Sequence, residues 1–305
     1  MFCSVSEKRY EGIYEMLKDL PTMNDTAIQF SLEFFPPKTE AGKEKLQATE
    51  KTLFDALQPA YASVTFGAGG STQKGTRETV LDIHKQGVDA APHLSCVGAT
   101  RDSIAEILGG YQQAGIRRIV ALRGDMPSGM GDSGDFRYAN ELVEFIRQQT
   151  GDHFHIEVAA YPEFHPQAPD AFTDLKNFKR KVEAGANSAI TQYFYNIDAY
   201  LRFNEECAMM GLDLPIVPGI MPITNYTNLS RFSEMCGAEI PRWIRERLIA
   251  FRDDTDSLKS FGLEVTTRLC QDLLSAGAPG LHFYTMNQSL PTLQIFNHLD
   301  LKAEE

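Results

Sequence analysis

The chain lacks any apolar run long enough to cross a membrane. Its opening segment, MFCSVSEKRYEGIYEMLKDL, is amphipathic and mixed in charge, with no apolar signal core. The cysteines Cys3, Cys96, Cys207, Cys236 and Cys270 are odd in number and show no CxxC spacing, so reduced thiols in a cytoplasm are expected. Basic charge is scarce: 29 Lys and Arg face 41 Asp and Glu, leaving a net charge of -12. Broad attraction to nucleic acid or to an anionic membrane is therefore not expected, although local basic pockets remain open. His93, His165 and His282 share no HxH or HExxH spacing, and HFH at 153–155 falls in a loop, so no metal site is expected. There is no GxGxxG turn, no readable Ser–His–Asp or Cys–His order, no linker, no low-complexity segment and no clear repeat.

What is present is an ordinary globular balance over 305 residues, 43% hydrophobic and 23% charged. Strand and helix patterns alternate. Strands are expected at about 30–35, 61–69, 89–98, 116–125, 155–163, 188–196, 214–223 and 280–288. Helices fall between them at 39–57, 72–87, 100–115, 138–151, 173–186 and 197–211, then over a longer region at about 226–276, and finally at 290–299. Eight strand–helix units at this length predict a (β/α)₈ barrel. Even strand spacing and the missing glycine-rich turn disfavour a doubly wound open sheet. One domain over 1–305 is expected, with a short helical extension over about 1–25.

In such a barrel the site lies at the C-terminal ends of the strands. The polar residues there are Glu33; Thr65; His93 and Ser95; Arg123, Gly124 and Asp125; Tyr161, Glu163 and His165; Gln192 and Tyr193; and Tyr284, Asn287 and Gln288. Glu33, inside the apolar strand of FSLEFFPPK, raises a question, because a buried carboxyl is either paired or favoured in its neutral form. An ion pair with a nearby Lys or Arg and a catalytic acid are both open readings. The run KNFKRK at 176–181 is either a solvated helix face or a means of aiming Arg180 and Lys181 at a phosphate. GAGGST at 67–72 either turns the chain or lets backbone approach a flat ligand. These residues alone describe a barrel enzyme for an anionic ligand, and an aldolase or hydrolase fits as well.

The motifs LEFFPPK, SVTFGAGGST, APHLSC, ALRGD, AAYPEFHP, DLKNFKRKVEAGANSAITQYFY, PGIMPI and HFYTMN occur in the order, one per strand end, in which they stand in methylenetetrahydrofolate reductases of the short bacterial type, and the chain resembles that family from about Phe30 to Leu299. The resemblance implies a (β/α)₈ flavoprotein that uses FAD to pass a hydride from NADH or NADPH to 5,10-methylenetetrahydrofolate, yielding 5-methyltetrahydrofolate. It implies small-molecule partners, the folate and the nicotinamide nucleotide, and a homo-oligomer. Glu33 matches the family's general acid, which protonates the nitrogen leaving the folate's five-membered ring. Thr65 matches a position near the flavin ring and nicotinamide. Ala68, His93, Arg123, Gly124, Asp125, Tyr138, Ala139, Tyr161, His165 and Ala168 match flavin-contacting positions, and Asp174, Asn177, Arg180 and Lys181 match those that cradle the dinucleotide. Asp125 matches the acid beside the flavin N1–O2 edge, where negative charge disfavours the reduced anion and stabilises a cationic folate. Gln192, Phe232 and Tyr284 match substrate-facing positions. Two positions depart from the pattern: Gln288 stands where an arginine is common, and Asn228 where a glutamine is, both near the folate tail. The regulatory domain of longer members, and control by S-adenosylmethionine, are not expected. The other reading open to a short relative is a flavoprotein electron-transfer subunit fed by a partner protein.

Overall fold

The computed structural model describes residues 28–66, 73–124 and 134–299. Along the first strand, β1 (Gln29–Phe34), alternate residues go to different environments, as a pleat requires. Leu32 and Phe34 join the main apolar core, while Ser31 and Glu33 are buried polar residues facing other polar groups. The same alternation recurs in β2 (Tyr61–Val64), β3 (Ala90–Ser95), β4 (Arg118–Leu122), β5 (His155–Ala160), β6 (Ser188–Thr191) and β9 (Gly280–Tyr284). With β7 (Ile216–Val217) and β8 (Gly219–Ile220), all pair in parallel, in the order β7-β6-β5-β4-β3-β2-β1-β9-β8.

The expected strand over 214–223 is in fact two pieces, β7 (Ile216–Val217) and β8 (Gly219–Ile220). Pro218 between them has no N–H for a ladder, so the pairing breaks there. β7 pairs with β6 and β8 pairs with β9, so one kinked seventh strand joins both edges and closes the ring. The Pro218 carbonyl still accepts the His282 N–H at 3.0 Å. Gly219 is required at the junction: a Cβ there would stand 2.2 Å from the Thr191 carbonyl oxygen and 2.6 Å from the Tyr284 ring. The nine strand pieces are thus the eight strands of a (β/α)₈ barrel.

Helices cover the outside: α1 (Glu40–Leu57), α2 (Gln73–Lys85), α3 (Arg101–Gln113), α4 (Ala139–Thr150), α5 (Ala171–Glu183), α6 (Ile197–Met209), α7 (Tyr226–Cys236), α8 (Arg242–Ala250), α9 (Thr255–Ser275) and α10 (Leu290–His298). The single long helical region expected over 226–276 is therefore three helices. Gly237, at φ 77°, caps the first, and the Asp254 side chain, accepting from the Ser257 N–H, opens the third. None of the helices among the described residues is long and apolar enough to cross a membrane. The expected N-terminal helical extension lies outside the described residues.

Candidate active site at the barrel mouth

Glu33 sits near the C-terminal end of β1, in register with Ser63 on one side and Tyr284 on the other. It is 8% exposed. Among the described residues no Lys or Arg pairs with it; its neighbours are two histidines. His93 Nε2 lies 3.3 Å and His282 Nε2 3.8 Å from Glu33 Oε2. Neither contact is aligned as a hydrogen bond, and both Nε2 atoms are buried without a hydrogen-bond partner among the described residues. Burial holds the His93 imidazole below its ordinary pKa, against the Glu33 charge, which raises it, while His282 lowers it further. The ion-pair reading with a Lys or Arg thus finds no partner among the described residues.

Glu33, Thr65, His93, Tyr161, His165, Gln192, Phe232 and Tyr284 line one cavity of about 490 Å³, a volume usual for small-molecule sites. Its position follows from local structure. Thr65 is anchored at the end of β2, its N–H donating to the Phe34 carbonyl at 2.9 Å. The Gln192 N–H donates to Ala160, and the Tyr284 hydroxyl donates to the Thr191 carbonyl at 2.8 Å. Asn287 staples the chain beyond β1, accepting from the Phe35 N–H at 2.8 Å and donating to the Phe35 carbonyl at 2.9 Å.

A second cavity of about 560 Å³ shares Leu122, Ala159, Tyr161, His165 and Gln167 with the first. It is lined by Arg123, Gly124, Tyr138, Ala139, Ala168, Asp174, Asn177, Arg180 and Lys181. Arg123 donates to the Gln167 side chain, and Arg180 to Asn177 Oδ1 at 2.9 Å. The Asp174 carboxylate accepts the His165 N–H at 2.9 Å. The Lys181 ammonium donates to the Ala159 carbonyl, and burial brings its pKa down to about 8, against the Asp174 charge, which raises it. Three cations thus face this cavity with one carboxylate, an arrangement suited to an anionic ligand.

Two residues expected in the site stand apart from these cavities. Gln288 lines a third, of about 290 Å³, with Lys45, Lys259 and Asn287 and without any carboxylate. Asn228 is exposed in the first turn of α7, its N–H bonded to Asn225 Oδ1. Ala68 and Asp125 lie outside the described residues. Sequence reasoning weighed His282 only as a metal ligand. Its place beside Glu33 was readable only from the alternation of GLHFY, where His and Tyr share one face and Leu and Phe the other.

A family model described as Methylenetetrahydrofolate reductase matches residues 18–300. A 5,10-methylenetetrahydrofolate reductase of Escherichia coli (strain K12) is 39% identical over 276 residues, 90% of this chain and 92% of that protein. One of Buchnera aphidicola subsp. Schizaphis graminum is 41% identical over 274 residues, 89% of this chain and 91% of its own. A protein of Arabidopsis thaliana named Methylenetetrahydrofolate reductase (NADH) 1 is 36% identical over 96% of this chain, which spans 51% of that protein. Among solved structures, an uncharacterized Clostridium thermocellum protein described as binding two copies of 5-methyl-5,6,7,8-tetrahydrofolic acid superposes with a TM-score of 0.62 at 15% identity, covering 90% of this chain and 95% of that one. That likeness is one of fold.

Proposed function

Because the chain belongs to the methylenetetrahydrofolate reductase family, we propose that it reduces 5,10-methylenetetrahydrofolate to 5-methyltetrahydrofolate, with NADH or NADPH as hydride donor and FAD as the carrier between them, the two substrates using the mouth in turn. The observation that carries this reading is Glu33: a buried carboxyl at a strand end, flanked by two histidines, opening into a cavity wide enough for a flat ligand. The residues present fit the dinucleotide. Arg123, Arg180 and Lys181 offer the positive charge a diphosphate needs, and the cavity they line runs into the one that Glu33 lines. Bound FAD would supply a two-electron relay between nicotinamide and folate.

The chain's own residues do the rest. Glu33 protonates the folate nitrogen that departs as the ring opens, leaving an electrophilic carbon. The Phe232 ring and the Gln192 amide hold the planar substrate against the opposite wall. Asp125 stabilises positive charge on the opened folate. The whole of 1–305 is proposed as one such domain, acting as a homo-oligomer in the cytoplasm.

The test is Glu33→Gln, read as two separate half-reactions by anaerobic stopped flow. Bleaching of the flavin by NADH should run nearly as in the parent protein, and its recovery on adding folate should slow by about 10²–10⁴-fold, the usual worth of a positioned proton donor. Recovery at the parent rate would remove Glu33 from the chemistry. Failure of NADH and NADPH alike to bleach the parent protein's flavin would overturn the reductase reading itself.

A further inference from the structure

Beneath Glu33 the barrel interior is not sealed by hydrocarbon on every side. His282 Nδ1 lies 2.8 Å from Ser31 Oγ, and Ser31 is the register partner of Tyr61 on β2. The Tyr61 and His282 rings lie 6.0 Å apart, 26° from parallel. The buried Tyr61 hydroxyl has no hydrogen-bond partner among the described residues, and burial first, then the Glu157 charge, hold its pKa well above the ordinary phenol value. Glu157 in turn accepts from Ser188 Oγ, pairs with Arg118, and lies 3.4 Å from His155 Nε2. The His155 side chain, at the N-terminal end of β5, is 39% exposed. The Arg118 guanidinium that pairs with Glu157 also lies 4.3 Å from the centre of the Tyr61 ring, so neighbouring proton-bearing groups, open at the Tyr61 hydroxyl and between Glu33 and His282, line the way from the catalytic face to the opposite rim.

We propose that Glu33 recovers its proton from that opposite rim, through His282, Ser31 and Tyr61, with His155 as the entry from solvent. This rests on the reductase reading above, in which each folate turnover takes one proton from Glu33 while the ligands cover the mouth. The bookkeeping closes. The Glu33 O–H bond breaks as the folate N–H bond forms. The carboxylate then takes the proton on His282 Nε2, and Nδ1 takes one from the Ser31 hydroxyl. Ser31 takes the Tyr61 proton, and Tyr61 regains one that His155 passes through Glu157 and replaces from solvent. Imidazole suits the upper step because its two nitrogens let one proton leave as another arrives. A hydroxyl without a fixed partner, as at Tyr61, can turn toward Ser31 or toward Glu157. The titratable groups facing Glu33 are His93 from β3 and His282 and Tyr284 from β9; those facing His282 are Glu33, His93, Tyr61 and Tyr284. His93 also lines the mouth cavity, so it marks the competing route, delivery from the mouth side.

His282, Ser31 and Tyr61 are positioning residues in this scheme, and the experiment reads proton arrival rather than activity alone. Proton uptake is followed with a pH indicator during several turnovers of the full protein, beside single-turnover flavin recovery, in Tyr61→Phe, Ser31→Ala, Ser31→Thr and His93→Asn. The first recovery, which spends the proton already on Glu33, should be unchanged in Tyr61→Phe and Ser31→Ala. Later turnovers and proton uptake should lag by roughly tenfold or more, up to the 10²–10⁴-fold worth of a positioned proton donor. The lag should widen in D₂O, and Ser31→Thr, which keeps the hydroxyl, should restore the parent rate. Parent-like uptake in Tyr61→Phe overturns the route, as does a lag confined to His93→Asn. A fall in melting temperature with first and later turnovers slowed alike shows packing damage and also counts against it. If the parent protein takes up no proton while NADH and folate turn over together, the reductase reading fails instead.

Discussion

Replacing Glu50 with Gln should make the protein more stable at pH 8 and leave it nearly unchanged at pH 5. Glu50 lies on the inner face of α1, 1% exposed, its carboxyl accepting a hydrogen bond from Gln86 Nε2 at 3.0 Å, the one side-chain hydrogen bond it makes among the described residues. The nearby Lys43 ammonium is spent on Asp82 at 2.8 Å. Burial is the largest influence on the Glu50 carboxyl and, against the Gln86 hydrogen bond, pushes its pKa from 4.5 up to about 7. The sign follows from linkage. The folded state holds a proton that the unfolded chain releases above about 4.5, so this contribution is complete below that pH and is lost as pH rises through about 7. At 1.36 kcal/mol per pKa unit the loss is about 3 kcal/mol by pH 8. Glutamine keeps the acceptor for Gln86 and cannot ionise. For a chain of this size roughly 2 °C of melting temperature accompanies each kcal/mol, so the variant should melt about 6 °C above its parent at pH 8. Scanning calorimetry at the two pH values in one buffer system checks this. An equal difference between parent and variant at pH 5 and pH 8 would refute the reasoning, because a packing effect does not depend on pH.

Other outcomes follow from the same geometry. Glu157→Gln leaves the half-buried Arg118 guanidinium beside a neutral partner, with Asp89 still 3.4 Å away, and should cost about 1–3 kcal/mol in urea unfolding. Burial raises the Glu157 carboxyl, but the hydrogen bonds from His155 and Ser188 and the Arg118 charge outweigh it and hold it below 4.5. The stability it brings is therefore present above that pH and is lost as pH falls further, a loss the variant should not show. Gly219→Ala drives a methyl into the Thr191 carbonyl and the Tyr284 ring and should cost about 1–3 kcal/mol, read from the urea midpoint. Gln288→Arg adds a third cation to the cavity of Lys45 and Lys259; if the folate tail lies there, its Kd should fall roughly tenfold or more, from a charge-assisted bond of about 1.5–3 kcal/mol, with flavin bleaching by NADH unchanged.

The barrel was legible because its strands announce themselves locally, as short apolar runs with polar ends and turns between them. The residues of the mouth were legible for the same reason, since a polar side chain at the end of an apolar strand needs an explanation. What escaped was long-range. Nothing near Glu33 in the sequence says that its neighbours are His93 and His282, because register across the closure of a barrel is a tertiary property. The break at Pro218 was hidden by the apolar character of both halves of IVPGI, although proline's missing donor was there to be read. The three helices between 226 and 276 were hidden by continuous helical periodicity across Gly237 and Asp254.

The divided seventh strand also gives the mouth two unlike walls. On one side, β4, β5 and β6 are held by full parallel ladders, beneath the cavity lined by Arg180 and Lys181. On the other, closure rests on two pieces of two residues each; Met221, just beyond that thin seam, and Phe232, from α7, line the central cavity. The free energy of local opening scales with the ladder that must be undone, so the seam is where the wall yields first. A container with one stiff jaw and one compliant jaw can keep a resident molecule in place on the stiff side. On the function proposed above, its compliant side would then admit, one after the other, two visitors as different in outline as a nucleotide and a pterin.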